Sequence, residues 1–424
     1  MVDVRARFHP KTVTAYSEGY NWDYLRADAL AGLTVAIVAL PLSMAIAIAS
    51  HVGPERGLYT AIIGGFIISA FGGSRFQVGG PAGAFIVLVA SLVDREGLDG
   101  LLIATFMAGV IIFIVGALRL GSYIRYVPHA VTVGFTSGIA TIIFASQLKE
   151  LFGLTLAGAE PAALLSKLQA LWLAAPSLNV SALGVAVLTI GVIVGVRRYN
   201  PNWPSFLIAV LMASLVALAL HGGPETIASR FGGIPSSLPS PNLPAFDGAR
   251  LWHLLPDALI LAFLGSIESL LSAVVADRMS GRQHRSNTEL IAQGLANMGA
   301  ALFGGIVATG TIARTATNVR AGAKSPVAGM LHSAFILVFM LVAAPLAGYV
   351  PLSALAGVLV VVCWNMADFG EAKKTLLSNR AAALAFLATL LITIFRDLTS
   401  GILTGMVIYY GLQYLARPAK IDGA

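Results

Sequence analysis

Residues 72–88 read GGSRFQVGGPAGAFIVL: five glycines and a proline fall within a dozen positions, and then the chain turns apolar. Glycine frees the backbone and lets other groups approach it, and proline removes a donor. Such a run interrupts a bilayer-crossing helix, and the chain makes the same interruption twice. FGGSRFQVGGPAGAF begins at Phe71, and FGGIVATGTIARTATN begins at Phe303, 232 residues on. In each copy Phe-Gly-Gly closes an apolar segment. A polar stretch of strand-like length follows, and then a short helix.

The surroundings define the class. The chain has 424 residues, 57% hydrophobic and 11% charged, with a mean hydropathy of +0.83. A soluble domain carries about 25% charged residues, so this is a polytopic membrane protein. Its apolar runs are long and continuous, which argues for helices and against a β-barrel. Fourteen such segments lie between 29 and 416. Two of them, 83–93 and 311–320, are too short to cross about 30 Å of hydrocarbon; they are the two that follow the breaks. The offset between breaks is close to seven segments, and an odd offset inverts the second copy. Inverted repeats with paired interrupted segments mark secondary transporters. A single Gly-rich break reads equally well as a packing kink; two at matching positions favour the repeat.

Charge sets the orientation. With the N-terminus cytoplasmic and the segments alternating, inner loops hold 19 Lys and Arg and outer loops 7, with Arg314 inside a segment. That bias places both termini in the cytoplasm and explains the net charge of +7 without a nucleic-acid partner. The first 25 residues form a polar arm with no signal-peptide pattern. Cys363, the single cysteine, excludes an intrachain disulfide. The seven histidines fall mainly at segment ends and loops. HExxH, CxxC, P-loop and GxSxG motifs do not occur, so neither an enzyme nor a metal site is expected.

A half-helix that begins at mid-membrane leaves its first N–H groups unpaired and carries roughly half a positive charge there. Such backbone persists only where it lines protein or a water-filled cavity. Pro81 presets one start, and Gly79, Gly80 and Gly83 allow close approach. At the other start Gly310 allows approach, and Thr309 and Thr311 are candidate caps. Two such ends facing each other make an anion site of about one positive charge. Glu268, in LILAFLGSIESLLSAVVAD, has no other charged residue within eight positions. An acid at that depth is a functional candidate by default, with an ion pair to Arg314 as the alternative. Arg314, in the first turn of the second short helix, either adds charge to the anion site, bridges to Glu268, or snorkels to an interface.

Several stretches resemble the sulfate permease (SulP, solute carrier 26) anion transporters. They are DALAGLTVAIVALPLSMAIAIAS (28–50), GGSRFQVGGPAGA (72–84), ESLLSAVVADRMSGRQHRSNTELIAQGLAN (268–297), TGTIARTATNVRAGAKSPVAG (309–329) and PLSALAGVLVVVCWNM (351–366). The resemblance implies an all-α membrane protein of fourteen segments in 7+7 inverted repeats, with short strands before half-helices 3 and 10. A core (26–128 and 250–349) would move against a gate (129–249 and 350–416), framed by the arm 1–25 and a tail 417–424. The implied substrate site comprises Leu42, Ile46, Gly80, Pro81, Ala82, Gly83, Gly310, Thr311, Ile312, Ala313 and Arg314, with Glu268 at the coupling position. Members usually end in a STAS domain and dimerise. This chain is read as lacking STAS, as a shortened chain or a short member, and as a homodimer in a bacterial plasma membrane.

The family includes proton-coupled, sodium-coupled, exchanging and channel-like members. A lone Glu268 leans towards H⁺, with Na⁺ as the alternative. Two helix ends plus Arg314 give about +2, which suits a dianion once Glu268 is neutral. The expectation is therefore a proton-coupled symporter of a dicarboxylate or sulfate. Its rivals are sodium-coupled bicarbonate or sulfate uptake, exchange, and a channel.

Overall fold

The computed structural model describes residues 9–121, 127–158, 160–161, 163–201, 203–220, 223–244 and 247–415; the tail 417–424 and the first eight residues of the arm lie outside the described residues. Helix α1 (Lys11–Ser17) leads into α2 (Trp22–Ala49), then α3 (Pro54–Tyr59) and α4 (Gly65–Phe71), joined by a π-helical turn at Thr60–Gly64. Strand β1 (Gly79–Gly80) follows, then a 3₁₀ turn at Gly83–Phe85 and α5 (Ile86–Ala117). Next come α6 (His129–Phe152), α7 (Leu164–Leu173), α8 (Val180–Tyr199), α9 (Ser205–Ala219) and α10 (Ile227–Phe231). The second half runs α11 (Gly248–Ser280), α12 (Ser286–Leu302), β2 (Thr309–Gly310), α13 (Ile312–Arg320) and α14 (Val327–Ala347). It ends with α15 (Leu352–Ala367), α16 (Phe369–Ser378), α17 (Arg380–Phe395) and α18 (Leu398–Leu415).

Among the described residues, 7 helical stretches are long and apolar enough to cross a membrane. The expected segments 83–93 and 100–118 are two helical stretches of α5 that meet at a kink, where Gly97 has a non-helical φ of 70° and ψ of −176°, a conformation natural to glycine. The stretches 148–180 and 221–249, which read from sequence as long connections, carry the helices α7 and α10, which apolar periodicity did not announce.

Packing divides the chain into two compact units. The first holds residues up to 124, 149–155 and 177–359; the second holds 125–148, 156–176 and the chain from 360 on. In the first unit the two breaks meet. β1 and β2 pair antiparallel, Gly79 opposite Gly310 and Gly80 opposite Thr309.

Each approach to this crossing is clamped by a helix from the other half of the chain. Glu289 of α12 accepts from the N–H groups of Gly73 and Ser74, both at 2.9 Å, through one carboxylate oxygen. Gln293 Nε2 donates to the other at 2.8 Å. Reciprocally, Arg56 of α3 donates to Gly304 O at 2.8 Å, and Ile306 N donates to Thr60 Oγ1 at 2.7 Å. The two clamps occupy corresponding places with opposite polarity: an acid gathers N–H groups before β1, and a base gathers a carbonyl before β2. Buried main chain outside helices needs such partners.

Asp28 does similar work at the start of α14. Its two oxygens accept from Lys324 N (2.6 Å), Ser325 N (3.0 Å), Ser325 Oγ (2.6 Å) and Tyr20 OH (3.1 Å). Asp28→Ala strands several buried donors at about 1–3 kcal/mol each, less what water recovers. A thermal melt in detergent should show the largest loss of any polar-to-Ala change on α2. Asp28→Asn, which keeps one acceptor, should lose less.

The described part of the polar arm is tied to both halves of the chain by hydrogen bonds. Lys11 N donates to Gly72 O at 2.9 Å, Thr12 Oγ1 to Ala70 O at 2.8 Å, and Arg285 Nη1 to His9 O at 2.7 Å. α1 thus supplies donors to the carbonyls that end α4. Glu18 pairs with Arg75 at 2.5 Å, and this hydrogen bond holds its carboxyl below the ordinary 4.5. The sign follows from linkage: a depressed carboxyl pKa stabilises docking above about pH 4.5 and loses that contribution as pH falls through the lowered value. Protease cleavage within the arm should therefore accelerate on acidification below pH 4.5 in wild type, with Glu18→Gln cleaved at one pH-independent rate.

Candidate anion-binding site

The antiparallel crossing leaves the starts of the two following helices next to the strand pair. At the first start, Ala82 is extended and Phe85 N bonds back to Ala82 O at 3.2 Å. At the second, Thr311 is the N-cap residue. The first N–H groups of both helices, at Gly83 and Ala84 and at Ile312 and Ala313, have no main-chain partner among the described residues. Two positive helix ends therefore flank one crossing, which is a chemistry for anions.

On α2, Leu42 is 7% and Ile46 2% exposed. Gly80, Pro81, Ala82, Gly310 and Thr311 are buried, Gly83 and Glu268 are half-buried, and Ile312 and Ala313 are exposed. The structure thus brings the strand pair, both helix starts and the adjoining faces of α2 and α11 into one unit.

Arg314 is 1% exposed. Its Nη2 donates to Ser43 Oγ of α2 at 3.0 Å and to Pro81 O at 3.4 Å, and Nη1 donates to Gly79 O at 3.4 Å. The guanidinium of the second half is therefore seated at the start of the first half's helix. Of the alternatives open from sequence, the bridge to Glu268 and the reach to an interface are not what forms. Glu268 makes no ion pair or hydrogen bond among the described residues, a costly arrangement for a carboxylate at that depth. Thr311 does not cap: its Oγ1 donates to Val78 O at 3.3 Å. Thr309 instead shares a 2.7 Å hydrogen bond with Ser269 Oγ of α11.

Sequence reasoning passed over the residues that hold this site. Gln77, 3% exposed, donates through Nε2 to Ser269 O at 3.0 Å, the carbonyl of the residue after Glu268. Val78 N donates to Thr315 Oγ1 at 3.2 Å, Ser272 Oγ to the same atom at 3.1 Å, and Asn318 Nδ2 to Phe76 O at 2.9 Å. Strand, α11 and α13 form one polar network. Its only trace in sequence is a run of small hydroxyl residues in apolar surroundings, which suits packing equally well.

A polytopic helical membrane protein, with two antiparallel chain breaks that bring two helix starts together, is the class that this architecture defines. A sequence profile described as the sulfate permease family matches residues 25–389, and the chain belongs to that family. It is 42% identical over 399 residues, 93% of the chain and 74% of the relative, to YvdB of Bacillus subtilis (strain 168), a candidate sulfate transporter by name. It is 33% identical to the bicarbonate transporter BicA of Synechocystis, covering 91% of the chain and 69% of that protein. The transmembrane domain of a cyanobacterial BicA superposes with a TM-score of 0.81 at 32% identity, over 90% of this chain and 98% of that one. The murine solute carrier 26 member A9 superposes at 0.86 with 19% identity, over 98% and 72% of the two chains, a likeness of fold. The protein is thus an integral membrane anion transporter rather than an enzyme.

Proposed function

We propose that the chain is a proton-coupled symporter that carries a small dianion, a dicarboxylate or sulfate, by alternating access. The observation that carries this reading is the separation of Glu268 from Arg314. The acid stands without a partner beside the network, free to take and release a proton, while the arginine keeps its charge at the helix ends. Protonating Glu268 removes a negative charge beside the network and leaves about +2 for the anion. The core and gate division, cytoplasmic termini, plasma-membrane location and homodimer inferred from the sequence belong to the same proposal.

The test is uptake into proteoliposomes over a panel of sulfate, dicarboxylates, bicarbonate and chloride, with and without an inward pH gradient. The wild type should accumulate a dianion when the gradient is applied, and Glu268→Gln should respond equally with and without it. Gradient-driven accumulation by Glu268→Gln would remove the acid from the coupling role. The 33% identity to a bicarbonate transporter favours a second reading, sodium-coupled bicarbonate or sulfate uptake. Replacing Na⁺ in the same assay distinguishes it: loss of uptake without Na⁺, at any pH gradient, selects that reading. Current that grows with voltage without saturating in substrate selects a channel.

A further inference from the structure

The corner between α8 and α9, in the first unit, holds two arginines that the transport reading does not use. α8 ends in Arg197, Arg198 and Tyr199, and α9 starts at Ser205. No Asp or Glu occurs from 161 to 224, and neither arginine has an ion-pair partner among the described residues. A loose surface arginine would need no comment, but Arg197 is held. Its Nε donates to Ser205 Oγ at 3.2 Å, and its guanidinium carbon lies 4.7 Å from the centroid of the Phe206 ring. One edge and one face of the guanidinium are thereby fixed. The two Nη groups, the fork that matches a phosphate or carboxylate bidentately, have no partner among the described residues. Ordering a long side chain costs rotamer entropy; here that cost is met within the protein before any ligand arrives.

The setting names the ligand. Tyr199 is 81% and Trp203 51% exposed, and their rings meet at 5.9 Å. Exposed aromatic pairs of this kind sit at membrane–water interfaces. α8 is the least covered of the spanning helices. Val187 and Val194 on it, and Leu211 and Leu215 on α9, are exposed apolar side chains leading away from the arginines, a track for acyl chains. A phosphate at the fork could come from a lipid headgroup or from solution, and this track selects lipid. Two unneutralised positive charges select a headgroup of net negative charge.

We propose that Arg197 and Arg198 form a binding site for the phosphate of an anionic phospholipid, with Phe206 and Ser205 seating the Arg197 fork. The proposal is independent of which anion is transported and of Glu268. The test is lipid retention by the purified protein, read by native mass spectrometry after exchange into micelles with equal phosphatidylglycerol and phosphatidylcholine. Wild type should keep phosphatidylglycerol preferentially, and Arg197→Gln/Arg198→Gln should bring retention to the phosphatidylcholine level, a loss of about tenfold or more. Arg197→Lys keeps the charge but not the fork and should lose a large part of the preference; Phe206→Leu, which frees the guanidinium, should lose less. A monodisperse elution profile for each variant confirms that it is folded. Equal retention of the two lipids by wild type, or undiminished preference in the double variant, overturns the site. Displacement of the lipid by millimolar inorganic phosphate overturns its assignment to lipid.

Discussion

Replacing Gly310 by Ala is expected to reduce anion uptake to background and to lower the melting temperature of the whole protein. A Cβ at Gly310 would stand 1.3 Å from Gln77 Nε2, 2.3 Å from its Cδ and 2.8 Å from its Cγ. No small adjustment clears three atoms of one side chain, so Gln77 must leave its place. It then loses the 3.0 Å hydrogen bond to Ser269 O, at about 1–3 kcal/mol for the buried groups left unpaired, on top of about 1–3 kcal/mol for overpacking. The shift also reaches Gly79, which Gly310 faces in the strand pair. The mechanism has a signature beyond loss of activity. Gln77→Ala removes the obstructing atoms, so Gln77→Ala/Gly310→Ala should be more stable than the sum of the single changes predicts, by on the order of 1 kcal/mol or more. Strict additivity, or a Gly310→Ala protein that melts like wild type, would show that the close approach does not limit the site.

The second large effect is expected at Arg314. Under the dianion proposal, Arg314→Ala should weaken sulfate or dicarboxylate affinity by about 2–4 kcal/mol, roughly 30- to 700-fold. Because the interaction scales with ligand charge, a monoanion should lose about half that free energy. Arg314→Lys keeps the charge but cannot reach Ser43 Oγ, Gly79 O and Pro81 O together. It should restore part of the affinity and little of the stability. Apparent Kd for both classes of anion, from uptake competition at fixed pH, checks this. Equal losses for mono- and dianions would make Arg314 a tie between α13, α2 and the loop at Pro81 and nothing more.

How far the sequence led is clear at particular residues. The paired Phe-Gly-Gly breaks announced the short strands and the two helix starts, because glycine and proline advertise backbone conformation locally; the pairing of the strands with each other was not announced. Glu268 was legible because an isolated acid in an apolar run is rare. The seat of Arg314 was not: whether its fork meets Glu268, Ser43 or lipid depends on how α2 lies against α13, and no local pattern encodes that. Gln77 and Ser269 were invisible for the same reason. Their partners lie 192 residues apart, and polar residues that satisfy one another look like unrelated polar residues in a string. The break between 83–93 and 100–118 was legible, but its narrowing to a kink at Gly97 was not, because the charged stretch between the two apolar runs reads as a loop.

The crossing of β1 and β2 also sets the order in which the protein can be built. Two residues from each half make the pair, and the clamps on each approach come from the opposite half. When synthesis has passed the first repeat, residues 72–85 are already at membrane depth with their N–H groups unmatched and their partner strand still unmade, a state that hydrocarbon penalises. The nascent first half must therefore wait in water or against the insertion machinery until residue 310 or so emerges, and the strand crossing closes only once the second half has followed. A chain cut between the halves would be expected to work only when both pieces are made together in the same membrane.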